Sequence, residues 1–471
     1  MQTQPPPAGS KPNPRTVSLA IAIILLVVGI GAGAGGTYLA THLPSTATST
    51  NALCYSLFIT NPTGCVSLCT SGKTVTIGEL LDLSSSLADQ GTRAKDSSVL
   101  AINDINSLLS SGGCTGLKFA TAVVDYGLRN ADGLSGLQSL ASSGAQVVVG
   151  PLNSGTAQYI LSYADSNHII MISPSSTATT LAISNDYFYR TVPNDINQGK
   201  ADARMLVDRG ATDVVIVQRH DTYGDGLANA TRDSFIALGG HVQPIIRYDA
   251  TAADAGTLDF TVALNTLNTE FNTAAGTYGV GKVAIYVIAF EEFSQMIIKA
   301  SSYTSGSTYN YPWSTLPWFG TDGEADDAKI ITPTSTGNLV AQVKLASTVF
   351  ATTNNTKNQA LYSEFESKYP SQTCDSYCLG AYDDVWLGAM ATIQAGSNNG
   401  TAIQAYLQQY ISTYNGSLFG VTGSMSFQGS GDRTPTAYLI EKVVIQSGTP
   451  KWVNAGSWDY TTDTITWTSV P

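Results

Sequence analysis

Apolar and polar positions alternate along this chain in the way that is typical of strands followed by amphipathic helices. The segment 195–240 is the clearest case: an amphipathic helix precedes the apolar strand Val214–Val217, a polar turn at 223–226 (YGDG) and a second helix. This order predicts a βαβ-type half of a parallel sheet. The turn follows the carboxyl end of the strand, where open α/β sheets bind ligands, so the pattern also predicts a small-molecule cleft.

The same pattern extends over the rest of the globular part. The stretch 92–109 has the apolar spacing of one helix face, and 132–143 and 156–166 are further predicted helices. Other apolar runs predict strands at Val75–Leu83, Phe119–Asp125, Gln146–Gly150, Ile169–Ser173, His241–Arg247 and Val283–Ile288. Parallel strands covered by helices on both faces predict an α/β fold with two Rossmann-like lobes, and tandem lobes imply a ligand cleft between them.

Composition narrows the class of protein and its compartment. The chain has 471 residues, 43% of them apolar, which is enough for two or three full hydrophobic cores. Charged residues make up only 12%, against about 25% in average soluble domains, so polar uncharged residues and Gly must cover the surface, as in many exported proteins. The net charge of −12 disfavours nucleic acid and anionic lipid as partners.

The N-terminal part predicts a membrane anchor. A Pro-rich tail, 1–15, carries the cations Lys11 and Arg15, and 16–43 contains no Lys, Arg, Asp or Glu. Its apolar run, 17–40, can span a bilayer at about 1.5 Å per residue. The preceding cations predict a cytoplasmic tail, so the globular part is expected at the cell surface, on the outer face of the cytoplasmic membrane.

A Ser/Thr-rich, cysteine-containing stalk is predicted over 44–72, between the anchor and the globular part. Two alternatives to a retained anchor stay open. One is a cleaved signal peptide, although the apolar run exceeds the usual length of about 7–15 residues. The other is lipid attachment at Cys54, although the residues before Cys54 fit a lipoprotein signal poorly.

Cysteine usage indicates an oxidising compartment, because the six cysteines all lie outside the apolar run. Proximity favours a bridge between Cys374 and Cys378. Cys69 and Cys114 are favoured as a second pair because both immediately precede strands that should be adjacent. All six are expected to be oxidised: Cys54, Cys65, Cys69, Cys114, Cys374 and Cys378.

No metal or cofactor is expected, since the four histidines are not placed with the spacing of metal ligands. Glycosylation sequons, which can carry sugars in an exported chain, occur at Asn229, Asn354, Asn399 and Asn415.

Four short motifs in order carry a family resemblance: ISPSSTATTL at 172–181, YGDG at 223–226, FGTDG at 319–323 and a long C-terminal motif at 423–440. Over about Val75 to Tyr460 the chain resembles the branched-chain amino-acid and amide binding proteins of ABC importers, which have the type I periplasmic-binding-protein fold. The resemblance implies capture of an amino acid or small amide by lobe closure and delivery to an ABC transporter permease.

The resemblance also implies three chain crossings between the lobes, near 192–193, 340–345 and 421–423. The implied first lobe comprises 73–192 and 345–421, and the second lobe comprises 193–344 and 422–471. Hinge strands of this kind restrict the relative motion of lobes to bending and twisting.

The expected site lies on loops that follow strands. Ser154 precedes a helix and can either cap it or bind a carboxylate, which is the role of the matching Ser in the resembling family. Ser175 and Thr177 belong either to an ordinary Ser/Thr turn or, as the resemblance implies, to the contacts with the α-amino-acid group. Tyr223 is expected to close over the ligand, and Asp322 matches the acidic residue that offsets a ligand ammonium.

Two positions depart from the family pattern. Gln90 stands where the family has an aromatic ring against the ligand side chain, and Phe290, followed by Glu291 and Glu292, replaces a Tyr-containing stretch. The expected side-chain pocket is therefore less apolar, with Phe290 as its wall, so leucine-like specificity is not implied and polar or amide-bearing ligands stay open.

An enzyme is not expected, because the sequence lacks a Ser-His-Asp order, an HExxH motif, a CxxC pair and a carboxylate dyad. Two other classes stay open. One is the ectodomain of a sensor complex whose partner carries the signal. The other is a structural or adhesive surface protein with a degenerate cleft.

N-terminal sequencing of the protein extracted from its own membranes tests the anchor. We expect the mature chain to begin before residue 17, because the apolar run lacks the shape of a cleaved signal. A mature chain that starts after residue 40 would contradict a retained anchor.

Overall fold

Two sheets flanked by helices organise the chain in the computed structural model, which describes residues 53–54, 62–303, 313–413, 420–435 and 437–471. The first sheet is wholly parallel, with strand order β2-β1-β3-β4-β5. Its strands are β1 (Lys73–Leu81), β2 (Leu117–Asp125), β3 (Val147–Val149), β4 (Ile170–Ser173) and β5 (Phe188–Arg190). The central strands are runs of buried Val and Ile, as a sheet covered on both faces requires.

The second sheet has nine strands in the order β14-β13-β12-β11-β10-β9-β6-β7, with β8 also paired to β6. The pairs among β6 to β11 are parallel, whereas β12 joins β11 in antiparallel fashion and continues into an antiparallel meander. The strands are β6 (Asp213–Arg219), β7 (His241–Val242), β8 (Ile246–Tyr248), β9 (Val283–Ile288), β10 (Trp318–Gly320), β11 (Ala346–Phe350), β12 (Ala437–Gln446), β13 (Thr449–Asp459) and β14 (Thr464–Trp467).

Helices cover both sheets. In chain order they are α1 (Pro62–Cys69), α2 (Ala88–Ser111), α3 (Asn130–Ser142), α4 (Ser154–Asn167), α5 (Asp195–Asp208), α6 (Thr222–Ala237), α7 (Ala250–Asp254), α8 (Thr261–Tyr278), α9 (Phe293–Ser301), α10 (Thr334–Gln342), α11 (Thr356–Lys368), α12 (Ser376–Ala395) and α13 (Gly400–Thr413). Helix α12 is buried along nearly its whole length, because it packs on α2, on α13 and on the first sheet.

The α/β architecture with two parallel-sheet lobes confirms the prediction from the sequence. One predicted strand, His241–Arg247, is instead split into β7 and β8. Pro244 lies between the two halves, and a proline has no N–H to donate to the sheet ladder.

Two of the expected lobe boundaries are wrong. Residues 346–350, expected in the first lobe, form β11, which pairs with β10 and β12 and so belongs to the second sheet. The chain therefore crosses after β11, at 351–355. The third crossing lies after Asp432 rather than at 421–423, because Phe427 packs on Tyr189 and Asp432 forms a bridge with Arg190 of the first sheet.

The part of the predicted stalk that the structure describes is not a free stalk. Helix α1 packs on α12, and Leu53, Cys54 and Cys65 are buried in the main core. The cytoplasmic tail 1–15 and the anchor 16–43 lie outside the described residues. Among the residues that are described, no helix is both long and apolar enough to cross a membrane.

Three disulfides account for the six cysteines. They join Cys54 to Cys65, Cys69 to Cys114, and Cys374 to Cys378, and the last two are the pairs that the sequence favours. The first bridge joins Cys54 to α1, and the second joins the end of α1 to Cys114, shortly before the start of β2. Of the four sequons, Asn354 and Asn399 are exposed, Asn229 is half-buried on α6, and Asn415 lies outside the described residues.

A buried acid on β1 gives a stability prediction. Glu79 is fully buried, and burial raises the pKa of its carboxyl from 4.5 to about 8, although Thr121 and Lys95 act in the opposite direction. The folded protein therefore binds the proton more tightly than the unfolded chain. This contribution to stability is complete below pH 4.5 and is lost as the pH rises towards 8.

We expect Glu79→Gln to remove that loss, because Gln cannot ionise. The free energy of unfolding can be measured by urea unfolding at several pH values. As the pH rises, its value for the wild type should fall relative to that of the variant by up to about 1.4 kcal/mol per pH unit. Glu366→Gln, at an exposed position on α11, is the matched control and should follow the wild type. Parallel profiles for Glu79→Gln and the wild type would show that Glu79 is ionised in the folded state.

Candidate functional site

In both sheets, the carboxyl ends of the parallel strands face one small cavity of about 20 Å³, roughly the room for one water molecule. Residues of both lobes line it: Leu87, Gln90, Leu152, Asn153, Ser154 and Ser175 from the first lobe, Tyr223, Phe290, Asp322 and Gly323 from the second, and Tyr377 from α12. The narrow cavity shows that the two lobes are closed on one another.

Helix α4 points its N-terminus at the cavity. Its first residue, Ser154, is buried, and its Oγ accepts hydrogen bonds from the backbone N–H groups of Thr177 and Ala178, both at 3.1 Å. The side chain of Ser154 therefore braces the neighbouring loop and does not cap the helix. The hydroxyl proton of Ser154 and the first N–H groups of the helix are the donors left for an anionic ligand group.

A buried tyrosine fixes the turn that leads into α4. The hydroxyl of Tyr126 donates to Asn153 Oδ1 at 2.8 Å and accepts from the backbone N–H of Leu152 at 3.2 Å. Because both partners line the cavity, Tyr126 sets the position of its first-lobe wall.

Hydrogen bonds to neighbouring residues fix the loop 174–178. The hydroxyl of Ser175 donates to the carbonyl of Leu152 at 2.9 Å. Arg190 donates to the carbonyls of Ser176 at 3.2 Å and Ala178 at 2.8 Å, and its guanidinium forms a buried ion pair with Asp432. The loop thus presents a fixed set of polar groups to the cleft.

Asp322 follows β10 and is the polar centre of the second-lobe wall. Its Oδ1 accepts from the Tyr223 hydroxyl at 2.6 Å and from Gln198 Nε2 at 2.8 Å, and its Oδ2 accepts from the Tyr377 hydroxyl. Burial raises the pKa of Asp322, and these three hydrogen bonds act in the opposite direction. A carboxylate has about four lone-pair sites, so Asp322 can accept from one more donor in the cavity.

Phe290 forms a rigid flat wall. Its ring stacks on that of Tyr223 with centroids 5.3 Å apart and an angle of 18°. Arg219 lies on the ring of Phe290, with Cζ 3.7 Å from the centroid. Arg219 is in turn held by ion pairs to Asp254 at 3.0 Å and Glu292 at 2.8 Å, so the stack has little freedom to move.

Hydrogen bonds across the cleft hold the lobes together. Tyr377, on the first-lobe helix α12, donates to Asp322 of the second lobe. At the rim, Glu291 Oε1 accepts from the backbone N–H of Asp89 at 3.0 Å, and the backbone N–H of Glu291 donates to the carbonyl of Ser86 at 3.2 Å. Burial raises the pKa of Glu291 to about 7.

The structure brings together most of the residues that the sequence singles out. The cavity is lined by Gln90, Ser154, Ser175, Tyr223, Phe290 and Asp322. Thr177 is buried next to the cavity but is not one of the residues that line it. Its backbone N–H donates a hydrogen bond to Ser154 Oγ. Sequence reasoning missed Tyr377, which lies far from Asp322 in the chain. The only local feature that singles out Tyr377 in the sequence is its position between Cys374 and Cys378, in the first turn of α12.

The chain is also similar to known proteins. The family described as receptor family ligand binding region matches residues 93–445. An uncharacterized protein of Methanocaldococcus jannaschii is 28% identical over 407 residues, covering 83% of this chain and 91% of that protein. A Leu/Ile/Val-binding protein of Rhizobium johnstonii is 28% identical over 169 residues, 35% of this chain and 45% of its own length.

A solved structure shares the fold. The leucine binding protein LivK of Thermotoga maritima superposes with a TM-score of 0.64 at 18% identity, covering 80% of this chain and 97% of that one. The likeness shows that both chains have the same two-lobed architecture.

Tyr377→Phe tests the bond across the cleft. The change removes one hydrogen bond to a buried carboxylate, which typically contributes about 1.5–3 kcal/mol, and leaves the ring in place. We expect a less stable protein and a larger radius of gyration in small-angle X-ray scattering, because the lobes separate more often.

Tyr382→Phe is the matched control. Tyr382 lies on the same helix and donates to Asp104 at 2.6 Å, but both residues belong to the first lobe. This variant should lose stability with no change in radius. An equal change in radius for both variants would show that the bond to Asp322 does not hold the lobes closed.

Proposed function

The chain belongs to the family of receptor ligand-binding regions, and from this premise we propose that it is the extracytoplasmic substrate-binding protein of an ABC importer. It captures an amino acid or a small amide-like solute by closing its two lobes. One observation carries the proposal: hydroxyl and N–H donors of the first lobe and a carboxylate of the second face the same cavity. The three disulfides support an extracytoplasmic location.

The two walls suit the two ends of a zwitterion. In our proposal the ligand carboxylate lies at the N-terminus of α4, where Ser154 donates its hydroxyl proton and the helix dipole favours negative charge. The ligand ammonium donates to Asp322, which is already oriented by Tyr223 and Tyr377. Each lobe recognises one end, so the ligand is held fully only when the lobes are closed.

Gln90 and Phe290 support a polar or amide-bearing side chain. Gln90 is buried at the first-lobe wall and offers an amide to a ligand side chain, while Phe290 offers only a flat ring face. A cavity of about 20 Å³ is much smaller than an amino acid. Entry of the ligand therefore requires the lobes to separate and then close around it.

The ectodomain of a sensor complex is the second candidate. The family description names receptors, and the same clamp can signal to a partner protein instead of delivering a solute. Ligand binding is common to both functions. Purification with an importer permease from the native membrane favours transport, whereas purification with a signalling partner favours the sensor. Catalysis is not part of the proposal, because the residues that line the cavity include no histidine.

A screen of amino acids and small amides by thermal melting tests the proposal. We expect at least one compound to raise the melting temperature, because a ligand that binds only the folded protein stabilises it. Asp322→Ala should weaken binding of an amino acid by roughly ten- to a hundredfold in calorimetry, since it removes a hydrogen bond to a charged group.

Asp233→Ala, at an exposed position on α6, is the control and should bind like the wild type. Unchanged affinity in Asp322→Ala would favour a neutral or anionic ligand. Flat melting across the whole screen would instead favour a structural or adhesive surface protein with a degenerate cleft.

A further inference from the structure

Three buried aspartates lie together at and behind the second-lobe wall of the cavity. Asp322 lines the cavity, and Asp195 and Asp202, on α5, are fully buried. Burial raises the pKa of Asp195 and of Asp202, repulsion from Asp322 raises both further, and Asp202 also acts on Asp195 in the same direction. The cation that acts on Asp195 is Arg190, which is already paired with Asp432. The cluster therefore concentrates acidic groups without a matching positive charge.

Hydrogen bonds connect this cluster to the cavity. Gln198 Nε2 lies 2.8 Å from Asp322 Oδ1 and 3.1 Å from the hydroxyl of Thr348. The hydroxyl of Thr348 donates to Asp202 Oδ1 at 2.5 Å, and the hydroxyl of Tyr286 donates to Asp202 Oδ2 at 2.6 Å. A change of charge at Asp322 therefore affects Asp202 through these hydrogen-bonded side chains.

The other groups that face the cluster are neutral or acidic. Tyr223 and Tyr377 donate to Asp322, Thr231 donates to Asp202, and Thr177 lies beside Asp195. Tyr438 lies near all three carboxyl groups. A fourth carboxyl, Glu324, is nearby and accepts hydrogen bonds from Thr321 and from the backbone N–H of Ala289. None of these neighbours supplies a compensating cation.

Electrostatics then favours a retained proton. Ionised carboxylates in one dry region repel one another, and desolvation penalises each charge. Burial raises the pKa of Asp202 to about 8 and that of Asp195 well above its usual range. A cation arriving at Asp322 supplies the missing positive charge and so favours the ionised form of the cluster.

We propose that the cationic nitrogen of a ligand enters this site in exchange for one proton from the cluster of Asp322, Asp195 and Asp202. This inference rests on the proposed function. One carboxylic O–H bond breaks, the proton leaves to solvent, and the positive charge of the ligand takes its place. The charge at the acidic wall is unchanged, because the ammonium replaces the proton, while the ligand carboxylate adds its negative charge at the N-terminus of α4. The exchange selects ligands that carry an ammonium group, and it makes their affinity depend on pH.

Calorimetry in buffers of different ionisation enthalpy measures the exchange. The probes are the amino acid that gives the largest melting shift in the screen above and its 2-hydroxy acid, which keeps the carboxylate and side chain but lacks the ammonium. We expect close to one proton released per amino acid bound, and an affinity that rises about tenfold per pH unit while the cluster holds its proton. The 2-hydroxy acid should release none.

Asp202→Asn isolates the role of the cluster, because Asn is of similar shape and cannot ionise. Proton release should fall in this variant while the amino acid still binds. Asp213→Asn is the matched control. Asp213 is also buried, but it lies at the amino end of β6, where its Oδ2 accepts a hydrogen bond from Gln243 Nε2 at 2.8 Å. If Asp202→Asn fails to fold, carboxyl-carbon NMR of the wild type without ligand replaces it. At least one of the three aspartates should then titrate above pH 6.

The outcomes separate the two proposals. Binding of an amino acid with no proton released, or three aspartates that are all ionised at pH 6, overturns the exchange and leaves the proposed function standing. Absence of binding by any compound in the screen overturns the proposed function and the exchange with it.

Discussion

A single buried arginine connects the parts of this molecule that must act together. The backbone N–H of Arg190 donates to the carbonyl of Gly431, and its guanidinium pairs with Asp432, so β5 is tied to the segment that leads back to the second lobe. The same guanidinium supports the loop 174–178 through two carbonyls. Asp432 also accepts from Asn194, the residue that caps α5. Removing one member of such a buried pair typically costs about 3–5 kcal/mol. The positions of β5, of the loop 174–178 and of the crossing that follows Asp432 therefore depend on one interaction.

Local sequence patterns predicted β1 to β4 of the first sheet and β6 to β9 of the second, because buried strands leave a local signature, whereas β5 and β10 to β14 were not predicted. The run at 283–288 is an example, since it forms β9 with the predicted bounds. The lobe boundaries leave no such signature. The sheet to which 346–350 belongs is decided by pairing with β12, which comes much later in the chain. Tyr377 was missed for the same reason, because only the packing of α12 brings it to Asp322.

The chemistry of the cleft is divided unequally between the lobes. The first lobe offers neutral donors, namely hydroxyls and the N-terminus of α4, while the second concentrates acidic groups around Asp322. In the function proposed above, neither wall alone satisfies both ends of a zwitterion. Under that proposal affinity and closure are coupled, because the ligand gains its second set of contacts only by bringing the lobes together.

The two disulfides near the N-terminus determine how a mechanical load enters the molecule. One joins Cys54 to α1, and the other joins the end of α1 to Cys114, just before β2 of the first sheet. A pull on residue 53 is thus carried by covalent bonds into the first lobe and does not pass through the hinge. An attachment on the N-terminal side of residue 53, as the sequence predicts, therefore loads the first lobe and not the crossings between the lobes.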